Sequence, residues 1–147
     1  MRRKIFLFLL ICGVVNAHDM HQHAGLMTSK QEEKKPVVMK TNEITKINDN
    51  YSFIYSFPQK ARMGNSVLRI ELLNTKNERV NDLEVEASYD MPSMRGHHGG
   101  KVSMRVNKTN QLYLDVIPFV MRGQWEIILD FKDNKVSIYK GIVNINI

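Results

Sequence analysis

Residues 83–89 read Leu-Glu-Val-Glu-Ala-Ser-Tyr, so that Leu83, Val85, Ala87 and Tyr89 share one side of an extended chain and Glu84, Glu86 and Ser88 the other. A period of two held over this length belongs to a strand with one dry and one wet face. The same texture runs outward in both directions. In residues 67–73, Leu68, Ile70 and Leu72 face inward while Arg69 and Glu71 face water, and Trp125, Ile127, Leu129 and Phe131 form another inward set. Residues 52–57 are aromatic and β-rich. Val102, Met104 and Val106 alternate with Lys101, Ser103 and Arg105, and Leu112, Leu114 and Val116 share a face. Residues 136–147 supply one long strand or two short ones. Asn74-Thr75-Lys76-Asn77, residues 107–110 and Lys132-Asp133-Asn134-Lys135 are turn chemistry between these runs. About seven strands with no helical stretch between them predict an all-β domain over residues 46–147. Its expected form is an immunoglobulin-like antiparallel β-sandwich.

The first 45 residues differ in kind. Arg2-Arg3-Lys4, the apolar run at residues 5–15 and Val15-Asn16-Ala17 follow the order of a secretory signal: basic, apolar, then a cleavage site. That run is shorter than the roughly 20 residues needed to span a bilayer, so an uncleaved anchor is the weaker reading. A lipoprotein reading centred on Cys12 is set aside, because Ile11 stands where a small residue is expected. Residues 1–17 are therefore read as a signal peptide, the expected location is the periplasm, and no stable membrane span is expected after cleavage. Cleavage removes Cys12, the only cysteine, and lowers the formal charge from +6 to +3. The remaining Lys and Arg are interspersed with acids and lack the clustered basic face of a nucleic-acid binder. Residues 18–45 hold no helical or strand period, and are expected to form a disordered His/Met-rich tail and linker.

All five histidines fall in two groups, each accompanied by methionines. His18, His21 and His23 stand with Met20 and Met27 in the tail. His97 and His98 follow Met91-Pro92-Ser93-Met94 in a loop that Gly96, Gly99 and Gly100 allow to bend. Pro92 favours a β-turn whose ends, Met91 and Met94, have α-carbons within about 7 Å. Two thioethers and an imidazole brought to one point suit Cu(I), and by extension Ag(I). Zinc prefers thiolate, imidazole and carboxylate. The competing account of the same residues is packing, with both methionines filling gaps at the open end of the sandwich and His97-His98 in solvent. Met121 is a packing residue by default and becomes a third thioether only if its hairpin end lies beside Met91 and Met94. His18, His21, His23 and Met20 form a weaker metal-binding tract.

After cleavage, His18 would carry a free α-amino group, which with its ring can chelate copper as in copper oxygenases. The whole tail separates it from the first strand, too far to pin it against a folded site. No Ser-His or Cys-His spacing and no glycine-rich phosphate loop is found, so no enzymatic activity is expected.

Met91-Pro92-Ser93-Met94 with its His-Gly loop, followed by Phe119-x-Met121-x-Gly123-x-Trp125, resembles the YtkA-like family, which is related to FixH-type proteins. The resemblance covers residues 66–131, with both motifs in the family's order and spacing. It implies an immunoglobulin-like sandwich outside the cytoplasmic membrane and a link to copper handling, sometimes near haem-copper oxidase assembly. Many relatives place a His two residues after the second Met. Here Gly96 stands there and His97-His98 follow, which leaves open which histidine completes a site. Two functions are carried forward. One is a periplasmic protein that binds and transfers Cu(I) or Ag(I) through Met91, Met94, His97 or His98, and Met121. Its expected partners are the metal ion and an envelope copper transporter or haem-copper oxidase assembly factor. The other is a metal-free envelope module that docks onto a transporter or oxidase assembly complex.

Overall fold

The alternation of apolar and polar residues becomes eleven strands and one short 3-10 turn over residues 37–147, the residues that the computed structural model describes. In chain order they are β1 (Val37–Val38), β2 (Thr45–Lys46), β3 (Ser52–Ser56), β4 (Gly64–Leu73), β5 (Arg79–Val80), β6 (Glu84–Asp90), β7 (Gly100–Ser103), β8 (Arg105–Asn107), β9 (Leu112–Phe119), β10 (Gln124–Asp133) and β11 (Val136–Asn146). One sheet has the order β1-β11-β10-β6-β7 and the other β2-β3-β4-β9-β8, with β5 added beside β4. Among the described residues, every pairing is antiparallel except that of β1 with β11. This is the expected antiparallel sandwich. Its surplus over about seven strands consists of two- and three-residue pieces.

The inward sets read from the sequence meet in one core. Leu68, Ile70 and Leu72 of β4 are buried, as are Val85 and Ala87 of β6 and Trp125, Ile127, Leu129 and Phe131 of β10. Phe53 lies 4.4 Å from Phe131, centroid to centroid, and Phe119 meets Trp125 edge-on at 5.3 Å. The Tyr113 hydroxyl donates to the Leu83 carbonyl at 2.6 Å, and burial pushes its pKa up to about 12. Outside, Lys101 and Lys132 converge on Glu86 at 2.6 and 2.5 Å and hold its carboxyl below the usual range.

Three features differ from the expectation. Residues 101–106 are not one strand: β7 lies in one sheet and β8 in the other, and buried Met104 makes the crossing, its amide donating to the Val85 carbonyl at 2.8 Å. On β9 the fully enclosed side chains are Tyr113, Ile117 and Phe119, while Leu114 and Val116 are only half-buried. Both faces of β9 are apolar, and the aromatic face, with the larger area to bury, takes the core. Finally, the sandwich begins before residue 46. Val37 and Val38 pair with Gly141 and Ile142, and Met39 is buried with its sulfur against Gly141, so residues 37–45 belong to the sandwich rather than to a disordered linker. Residues 1–17 and most of the expected tail, with His18, Met20, His21, His23 and Met27, lie outside the described residues. Among the described residues no helix is long and apolar enough to cross a membrane.

Antiparallel register decides which loops are neighbours. β3, β6, β9 and β11 run toward one end of the sandwich, and β4, β7 and β10 run back from it. Residues 57–63, 91–99 and 120–123 therefore gather at that end, together with Ile147.

Candidate functional site

The loop after β6 is built around a proline turn and a carboxylate. Pro92 opens the 3-10 turn at Pro92–Met94, and the Met94 amide donates to the Met91 carbonyl at 2.9 Å, closing the expected turn with the two methionines at its ends. The His97 amide then donates to the Met94 carbonyl at 3.2 Å. Asp90 ties the loop to the strand. Its carboxylate accepts from the Met91 amide and from the Gly96 amide, each at 2.8 Å, and these bonds, that of Gly96 foremost, hold its pKa below the ordinary value. Gly96 has φ +82°, a conformation that favours glycine. Arg95 pairs with Glu126 of β10 at 3.2 Å and draws the loop against the sheet.

The second motif supplies the neighbouring hairpin end. The Trp125 indole N–H donates to the Met121 carbonyl at 3.1 Å, which fixes the turn at 120–123 over the core. Gly123 exchanges two backbone hydrogen bonds with Ile147, at 3.1 and 3.0 Å. Its missing side chain leaves the space that Met91 fills: a β-carbon on Gly123 would stand 2.8 Å from the Met91 Cε. The hairpin end thus lies against Met91 of the loop.

Burial sorts the sequence-selected residues. Met91 is 4% exposed and belongs to the core, whereas Met94 is 36% and Met121 38% exposed. For Met91, core packing describes the side chain. His97 is exposed and His98 half-buried. Among the described residues, no three side chains drawn from His, Cys, Asp and Glu group so as to hold a metal ion. The side chains exposed in these loops include the thioethers of Met94 and Met121 and the imidazole of His97, and thioether with imidazole is donor chemistry suited to a soft monovalent ion.

Two contributors escape a reading of the sequence. Asp90 is, by spacing, only an acid at a strand end, yet it organises the loop. Its local signal is an Asp immediately before Met-Pro with a glycine six residues on. Met63, 50% exposed, ends the loop that enters β4 and reaches the same end of the sandwich. No local pattern marks it, because only the pairing of β4 with β9 brings it there.

A family model described as YtkA-like matches residues 45–130, more than half of the chain and a span that holds all three of these loops. No curated protein and no solved structure matches the chain.

Proposed function

The chain belongs to the YtkA-like family, and on that premise we propose that it is an exported, non-enzymatic carrier of Cu(I) or Ag(I). The ion is cargo, bound at the end of the sandwich by the Met94 and Met121 thioethers, with His97 or His98 as imidazole donor and Met91 beneath them. One observation carries this reading: Met91 and Gly123 interlock, which sets the two loops that carry the exposed Met94 and Met121 side by side. Thioethers are neutral soft donors, so release requires no proton to be taken up, and the ion can pass to another thioether or thiolate ligand by stepwise exchange. The proline turn and the Asp90 carboxylate fix the loop before the ion arrives, which lowers the ordering cost of binding.

In this reading the signal peptide directs the protein to the periplasm, and the tail, through His18, Met20, His21 and His23, captures the ion ahead of the folded domain. His18 and Val37 stand 19 positions apart along the chain, and a stretch of that length can span up to about 60 Å. The acceptor is an envelope copper transporter or a haem-copper oxidase assembly factor.

A competition titration with a Cu(I) chelator tests this proposal on the full chain. Met94→Leu with Met121→Leu is expected to remove the tightest Cu(I) equivalent, while a variant with His18, His21 and His23 replaced by Ala keeps it. Retention of that equivalent by the double Leu variant would overturn the reading.

The same exposed residues, with Val120 among them, also favour a second reading, a metal-free module whose apolar end docks onto an envelope complex. In that case the double Leu variant, which preserves apolar area, keeps partner binding, and added Cu(I) leaves it unaltered.

A further inference from the structure

We propose that Met63 is a third thioether of the same site, so that a soft monovalent ion is held by Met63, Met94 and Met121, one from each of three loops, with Met91 as the positioning residue below them. This inference rests on the reading of that end as a soft-metal site. Six methionines lie among the described residues. Met39, Met91 and Met104 are buried, and the three exposed ones, Met63, Met94 and Met121, all fall at one end of the sandwich. Core filling accounts for the first three. It does not account for the second three, which are 50%, 36% and 38% exposed.

Register places Met63 beside the hairpin end. Gly64 is the Cα partner of Phe119, so the residue before Gly64 stands level with Val120 and next to Met121. Opposed residues of an antiparallel pair have α-carbons about 5 Å apart, and Met121 follows Val120 directly in the chain, a gap that two flexible thioether chains can close. The loop end is fixed rather than loose. Buried Ser66 accepts from the Arg62 amide and donates back to the Arg62 carbonyl, both at 3.2 Å, and Gly64, at φ +89°, turns the chain into β4. Met94 belongs to the loop that the contact of Met91 with Gly123 sets against the hairpin end. Three neutral sulfurs leave the charge of the ion uncompensated, and Arg62 and Arg122 adjoin two of them in sequence.

The test is a titration of the full chain, carrying 13C at the methionine methyls, with silver nitrate in halide-free buffer, followed by NMR through saturation. The methyl signals of Met63, Met94 and Met121 are expected to move together, while those of Met39 and Met104 stay in place. Met63→Leu is expected to weaken Ag(I) binding about tenfold, with the spectrum of the folded domain retained. Movement of Met94 and Met121 without Met63 overturns the assignment of Met63 and leaves the proposed function standing. Silence of all three overturns both.

Discussion

The methyl carbon of Met91 lies 2.8 Å from where a β-carbon on Gly123 would stand, so one loop fills a space that the next loop leaves vacant. Through this contact the Met-Pro-Ser-Met turn and the hairpin end at 120–123 form one unit. Met91 and Gly123 stand 32 positions apart in the chain, so neither motif alone reveals their contact.

Gly123→Ala tests the junction. Gly123 has φ +135°, which L side chains rarely adopt, and its new β-carbon would meet the Met91 methyl. The methyl is the far end of a flexible chain and can move aside, so the backbone accounts for most of the loss, expected at about 1–3 kcal/mol. Denaturant unfolding measures it, and an unchanged midpoint would mean that the junction carries no strain.

Met91→Ala and Met94→Ala should differ sharply although the two residues end the same turn. Met91 is enclosed, and truncating it is expected to cost about 2–5 kcal/mol. Met94 is exposed, and its truncation should stay within about 0.5 kcal/mol. Equal losses in thermal or denaturant unfolding would mean that the two side chains are not divided between core and surface.

The loop should also report acid. Asp90 has its pKa lowered from 3.8, first by the Gly96 amide. A lowered folded-state value means that the contribution of the carboxylate is complete above 3.8 and is lost as pH falls through the lowered value. The Gly96 and Met91 amide signals are therefore expected to hold their positions to below pH 3.8 before shifting. Asp90→Asn should speed hydrogen exchange at the Gly96 amide at neutral pH. Unchanged exchange would remove Asp90 from its role as the tie of the loop.

At the alkaline end Tyr113 governs. Its pKa is raised from 10.0 to about 12 by burial, so its contribution to stability is complete below 10.0 and declines as pH rises toward 12. Tyr113→Phe should flatten that decline, and at neutral pH it should cost about 1 kcal/mol for the hydrogen bond to Leu83. Unfolding free energies measured across this range in both proteins provide the check.

Strand alternation makes most of the fold legible. Leu83 to Tyr89 and Trp125 to Phe131 each bury one face, and a period of two records that directly. The same period is silent about which sheet a strand joins, which is why the crossing at Met104 stays hidden in it. It is ambiguous where both faces are apolar, as at Leu114 and Tyr113. The pairing of Val37 and Val38 with β11 is parallel and distant in sequence, so no local pattern announces it. At the candidate site, Pro92 makes the Met91–Met94 turn readable. The burial of Met91 and the arrival of Met63 depend on contacts between loops, which spacing along the chain does not encode.

Whether the end of the sandwich holds a soft ion is tested most directly by X-ray absorption at the copper edge, on the full chain loaded with one equivalent of Cu(I). The expected coordination is dominated by sulfur, and Met94→Leu with Met121→Leu should sharply lower the sulfur contribution. Nitrogen and oxygen alone in the unaltered protein, or a sulfur contribution that the double substitution leaves unchanged, would contradict it.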